Sequence, residues 1–192
     1  MMLEQDKTYL IDLDGTMYQG DTVIPEALEF IEHLQRNQIA YLFVTNNAMR
    51  TPKEIMVKMH SMGFRGLKET DFFTSAMAAI SHMKKTSAAT HVFFIGEEGL
   101  RQAILRGGYV IDETAAQLVF VGLDTHADYS LYCMAARCIK ERHALLIGTN
   151  SDRRIPQGDH FLIGNGAILQ MLAYATEANC ITIGKPNAIM ME

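Results

Sequence analysis

Cysteine is scarce in this sequence: Cys133, Cys138 and Cys180 are the only three, and none sits in a close-spaced pair. Three thiols cannot all pair with one another, and zinc sites need tighter spacing, so reduced and mostly buried thiols are expected. The seven histidines are scattered without an HExxH pair, and each reads as structural rather than as a metal ligand. Positive charge is also short, since 17 Lys and Arg against 22 Asp and Glu leave a net charge of -5. That balance builds no basic face able to hold a phosphate backbone by counterion release, which argues against a nucleic-acid partner. No uninterrupted apolar run reaches membrane-spanning length, and the first residues, MMLEQDK, are charged where a signal peptide needs an apolar stretch. A soluble cytoplasmic protein with no membrane partner is the expectation. No tract is of low complexity.

The 192 residues are 48% hydrophobic, enough to bury one sizeable core, or a core and a smaller satellite. TYLID is a β-rich apolar run that stops at a turn signal, and IPEALEFIEHLQRN follows with Pro25 early and apolar residues at helical spacing. IAYLFVTNN reads as a second buried strand. In TPKEIMVKMHSMG, Thr51 can cap, Pro52 opens the helix, Glu54 completes a capping box and Gly63 ends it. DFFTSAMAAISHMKK gives a short strand and an Ala/Met-rich helix, and the polar KTSAAT places a hinge after Lys85. The rhythm then restarts: strand HVFFIG, helix EEGLRQAILRGG, strand QLVFVG, helix DYSLYCMAARCIKERH, strand ALLIGTN, helix NGAILQMLAYATEA and strand CITIG. The whole is an α/β pattern with a second α/β unit in its later part. A faint echo links LFVTNN at 42–47 to LIGTNS at 146–151, which we attribute to shared turn chemistry.

The strand ends carry the chemistry. In YLIDLDGT, residues two apart on an extended segment point to one side, so Asp12 and Asp14 can face one crevice, and Gly15 lets the chain turn. Ligands of open parallel sheets bind outside the carboxyl ends of the strands, where these acids lie. Alone, DLDG is no more than a strand ending in an Asp-Gly turn. A calcium loop fails, with Met17 where glycine is required and Val23 where the bidentate glutamate belongs. Two more strands end in phosphate-friendly residues, Thr45 with Asn46 and, after ITIG, Lys185. Carboxylates near a phosphate dianion need a divalent cation plus hydroxyl, amide and ammonium donors, and these three strand ends supply those donors. A P-loop is excluded because Pro186 follows the lysine and Asn179 stands where its first glycine belongs. GNGAIL fails the dinucleotide fingerprint at Leu169.

With DLDGT at 12–16, VTNN at 44–47 and GKP at 184–186, the sequence resembles the haloacid dehalogenase (HAD) superfamily. FTSA at 73–76 and GTNSD at 148–152 are similar to its NagD-like phosphatases. The resemblance runs along the whole chain. It implies a HAD Rossmann-like parallel-sheet core (residues 1–85 and 180–192) with an inserted α/β cap domain (86–179). It implies Asp12 as nucleophile, forming an aspartyl phosphate, and Asp14 as acid/base partner. Asp12 and the Asp14 backbone carbonyl would hold Mg²⁺, while Thr45, the Asn46 backbone and Lys185 would hold the phosphoryl oxygens. In the cap, Asn150 and Asp152 are candidate substrate-reading residues, whereas Arg153 and Arg154 read better as a solvated turn. The implied substrate is a small phosphorylated metabolite such as a nucleotide or sugar phosphate, with 4-nitrophenyl phosphate as an artificial one.

One departure stands beside this. The family's fourth motif, whose acids complete the Mg²⁺ site, has no counterpart in the seven residues after Lys185, which offer only Glu192. Two readings follow: a shortened form of a longer phosphatase, or a catalytically incompetent phosphate-binding relic or interaction module. For the 192-residue form by itself, weak Mg²⁺ binding and an open sheet flank that favours homo-oligomers are expected.

Overall fold

The computed structural model describes residues 7–191. By contact the chain forms two compact units: the described residues up to Thr45 with Pro52–Thr74, and Asn46–Thr51 with everything from Ser75 onward.

In the first unit the order is β1 (Tyr9–Ile11), the hairpin β2 (Tyr18–Gln19) and β3 (Thr22–Val23), α1 (Pro25–Arg36), β4 (Tyr41–Thr45), α2 (Pro52–Ser61), a 3-10 turn (Glu69–Asp71) and β5 (Phe72–Thr74). The sheet order is β1-β4-β5, all parallel, with Ile11 opposite Phe43 and Phe43 opposite Phe72. Pro25 opens α1 with its φ already set, and Ala27, Ile31 and Leu34, spaced at helical intervals, form its buried stripe. Pro52, Ile55 and Met59 do the same for α2, and the chain leaves that helix through Gly63 at φ +106. Both stripes close over a core containing Leu13, Phe43, Phe64 and Phe72. Phe43 stacks on Phe72 at 5.1 Å between ring centroids and meets Tyr41 edge-on at 5.4 Å. Phe43→Ala is therefore expected to cost about 3–5 kcal/mol, from lost burial plus the cavity left behind. A urea titration checks this, and a midpoint unchanged from the parent would refute it.

The second unit runs α3 (Ser75–Thr86), β6 (His91–Ile95), α4 (Glu98–Arg106), β7 (Val110–Ile111), β8 (Leu118–Val121), α5 (Tyr129–Arg142), β9 (Leu145–Gly148), β10 (Arg154–Gln157), β11 (His160–Ile163), α6 (Asn165–Thr176) and β12 (Cys180–Thr182). Its five-stranded sheet is parallel in the order β12-β9-β8-β6-β7. All four residues of β8 are buried, as expected of a central parallel strand covered on both faces. One face carries Phe93, Ile95, Val119, Val121 and Leu146 under Ala135, Cys138 and Ile139 of α5 and Ile168, Leu169 and Leu172 of α6. Asp128 caps α5 by accepting from the Leu131 N–H at 2.9 Å. The strand order reverses between β6 and β8, the switch point at which such sheets open a crevice.

The fold is α/β with parallel sheets, as the sequence indicates, and the differences are local. Short β7 and the hairpin β10-β11 were not anticipated. Pro156 is tolerated opposite Phe161 because this ribbon has only two strands, so a residue lacking an N–H can sit at its edge. Gly158, at φ +56, serves the two-residue turn. The strand leading to Lys185 was expected with the first sheet; β12 instead lies parallel beside β9, the two joined through α6. Cys138 is buried and Cys133 and Cys180 are half-buried, all three as free thiols. Among the described residues no helix is long and apolar enough to cross a membrane. Glu192 lies outside the described residues.

Candidate active site

In the first unit, β1 delivers Asp12 and Asp14 past its carboxyl end. Leu13 between them is fully buried, and this anchor turns both acids to the exposed side. The Leu13 N–H donates to Asp12 Oδ1 at 2.8 Å, fixing that carboxylate against its own backbone. Gly15, at φ +80, lets the chain fold back, so its N–H reaches the Tyr18 carbonyl at 2.7 Å while the Met17 N–H reaches Leu13 at 2.8 Å. Thr45 ends the adjacent parallel strand β4 and is buried. Asp12, Asp14 and Thr45 thus share the carboxyl edge of one sheet. Two carboxylates on a rigid turn are hard oxygen donors, the chemistry that suits Mg²⁺ rather than a thiophilic metal.

The second unit holds Asn46, Asn150, Asp152 and Lys185 together, although up to 139 residues separate hydrogen-bonded partners. Past β12 the ladder continues along β9, the Ile183 N–H donating to the Gly148 carbonyl at 3.1 Å and that of Gly184 to Thr149 at 2.8 Å. The following N–H, of Lys185, goes instead to Asn46 Oδ1 at 2.8 Å. Asn46 Nδ2 donates to the Lys185 carbonyl at 3.0 Å and to Asp152 Oδ2 at 3.1 Å. The Asn46 carbonyl accepts from Ser75 Oγ at 2.7 Å and Asn150 Nδ2 at 2.9 Å. Asn47 makes the next turn, its Oδ1 accepting from the Met49 N–H at 2.9 Å. Asn150 and Asp152, read from sequence as facing substrate, have side chains engaged with Asn46. Arg154 lies over the Phe161 ring at 5.0 Å on the exposed hairpin.

Sequence reasoning missed the side-chain role of Asn46 and the part of Ser75; the paired TN echo at the ends of β4 and β9 was the available signal. It also passed over Glu97, Asp124 and His126, whose ligand-type atoms lie within 4.8 Å of one another in the loops after β6 and β8. Glu97 Oε1 accepts from Thr125 Oγ1 at 3.0 Å and Asp124 Oδ1 from the His126 N–H at 2.8 Å, so loop cohesion accounts for this group. Burial pushes the Cys138 thiol above its ordinary pKa, which argues against a nucleophilic role.

A DxDGT strand end beside a threonine-ended strand, and a lysine delivered by a further strand, define a haloacid dehalogenase-type hydrolase. The haloacid dehalogenase-like hydrolase family model matches residues 9–110, and the chain belongs to this family. It is 40% identical to the 5'-nucleotidase YutF of Bacillus subtilis over 97% of this chain and 72% of that protein. The acid sugar phosphatase of Staphylococcus haemolyticus is 36% identical over 97% of this chain and 70% of its own length. Among solved structures, a p-nitrophenyl phosphatase from Archaeoglobus fulgidus superimposes with a TM-score of 0.87 at 28% identity, covering 98% of this chain and 72% of that one.

Proposed function

We propose that this protein is a phosphatase of small phosphate monoesters, working through an aspartyl-phosphate intermediate. The observation that carries the reading is the pair of exposed acids fixed around buried Leu13 at the end of β1. Relatives named nucleotidase, sugar phosphatase and p-nitrophenyl phosphatase support the reaction class. In this reading Asp12 attacks phosphorus, the P–O bond to the alcohol breaks, and Asp14 gives that oxygen its proton. Asp14 then takes a proton from the water that attacks the acyl phosphate, restoring Asp12 and releasing inorganic phosphate. Thr45, the Asn46 N–H and the Lys185 ammonium hold the three phosphoryl oxygens. Asp12 and the Asp14 carbonyl would hold Mg²⁺, which when bound offsets charge on the phosphoryl group. In this scheme the five-stranded sheet of the second unit, with β12 beside β9, forms the body of the cap.

The test is a panel of 4-nitrophenyl phosphate, nucleoside monophosphates and sugar phosphates, with release of inorganic phosphate as readout. Turnover that EDTA removes and Mg²⁺ restores is expected. A chain that binds inorganic phosphate but turns over none of the panel would overturn the reading in favour of a binding module.

A further inference from the structure

Asn46 is wired differently from a residue that only lends its backbone to a phosphate. Its carboxamide grips the Lys185 peptide on both sides, accepting the N–H at 2.8 Å and donating to the C=O at 3.0 Å. The orientation is forced, because the Lys185 N–H can only donate and must face Oδ1, which leaves Nδ2 for the Lys185 carbonyl and Asp152. Both protons of Nδ2 are thereby used, the second on Asp152 Oδ2 at 3.1 Å. Around this grip the surroundings are rigid. Asn150, 7% exposed, spans from the Asn46 carbonyl to the Asp152 N–H, and Asn165 Nδ2 holds the Asn150 carbonyl at 3.2 Å. Gly184 leaves the space the carboxamide occupies, since a Cβ there would lie 2.6 Å from Asn46 Oδ1. On the other flank the Gly99 N–H donates to the Met49 carbonyl at 2.8 Å, and a Cβ at Gly99 would stand 2.5 Å from the Arg50 carbonyl oxygen. The loop that begins at Asn46 therefore has no slack.

We infer that the Asn46 side chain, oriented by Asp152, is the positioning device for Lys185: it sets where the lysine leaves the backbone and hence where its ammonium reaches. The inference rests on the phosphatase reading for the identity of what Lys185 contacts. Asn46 is a positioning residue in this role, acting through Lys185, and Asp152 acts one step behind it. A carboxylate at position 46 would keep the shape and the bond to the Lys185 N–H. It would also set acceptor against acceptor at both the Lys185 carbonyl and Asp152.

The experiment is a double-mutant cycle read by turnover of 4-nitrophenyl phosphate and by calorimetric binding of inorganic phosphate. Asn46→Asp is expected to lower kcat/KM about 100-fold, the scale of loss when a reacting group is misplaced by about 1 Å. Adding Asp152→Asn should return about tenfold of this, because Asn at 152 can donate to Asp at 46 while the Lys185 carbonyl stays unserved. In a Lys185→Ala background the same Asn46→Asp change should move phosphate affinity less than about threefold, since the group it positions is gone. Additive losses in that background would overturn the inference and leave the phosphatase reading standing. Parent protein that binds phosphate without turnover would sink the phosphatase reading, while the binding cycle still decides the coupling. Should Asn46→Asp fail to fold, Asp152→Ala enters the same cycle at a half-buried site, with an expected tenfold loss that Lys185→Ala must erase.

Discussion

Asn in place of Asp12 is expected to lower turnover of 4-nitrophenyl phosphate about a thousandfold or more, with the fold untouched. An amide keeps the shape of the carboxylate but cannot give an acyl phosphate, so the two-step route closes. Stability should hold because Asp12 is exposed and its structural bond, Oδ1 accepting from the Leu13 N–H at 2.8 Å, is one an asparagine oxygen also makes. Steady-state rates, circular dichroism and acid-quench trapping of phosphoprotein measure the three parts of this expectation. Parent protein should yield an acid-stable, hydroxylamine-labile phosphate and the variant none. Turnover within tenfold of the parent would remove Asp12 from the role of nucleophile.

The parts of this chain that were legible are those in which one physical rule acts over a short stretch. Pro25 followed by Ala27, Ile31 and Leu34 on one stripe specifies α1, and the short β-branched run LVFV before Gly122 reads as the buried strand it forms. Asp12 and Asp14 were legible for the same reason, because alternation along one extended segment places both acids on one side of Leu13. The hairpin β10-β11 was not, since RIPQ lacks alternation and the apolar run FLI of the second strand lies on an exposed ribbon instead of in a core. Nor was the Asn46 hub. Its partners are 106 and 139 residues away, and asparagine and aspartate follow no periodicity that would announce such a meeting. The TN repeat reads as turn chemistry, and at Asn47 that is what it is; parallel β9 and β12 carry Asn150 and Lys185 to one end of their sheet, where both bond to Asn46. Tertiary pairing of short polar side chains is written in topology, which a local window does not contain.

Asp14→Asn is expected to separate the two chemical steps according to leaving group. The aryl oxygen of 4-nitrophenyl phosphate departs without help from an acid, whereas a sugar or ribose oxygen leaves as an alkoxide unless it is protonated. The variant should form the phosphoenzyme from 4-nitrophenyl phosphate nearly as fast as the parent and then stall, because no residue remains to activate water. The observable is a burst of nitrophenolate equal to the enzyme present, followed by turnover slower by about 10²–10⁴-fold. With a sugar phosphate no burst should appear, since the first step is slowed by a similar factor. Asp14 is exposed on the turn held by Gly15 and Met17 backbone bonds, so the amide leaves that geometry in place, and a thermal melt within a degree or two of the parent is expected. Equal slowing of both substrates with no burst would mean that Asp14 serves the phosphoryl group itself and not the proton. The acid would then have to be sought on another strand end.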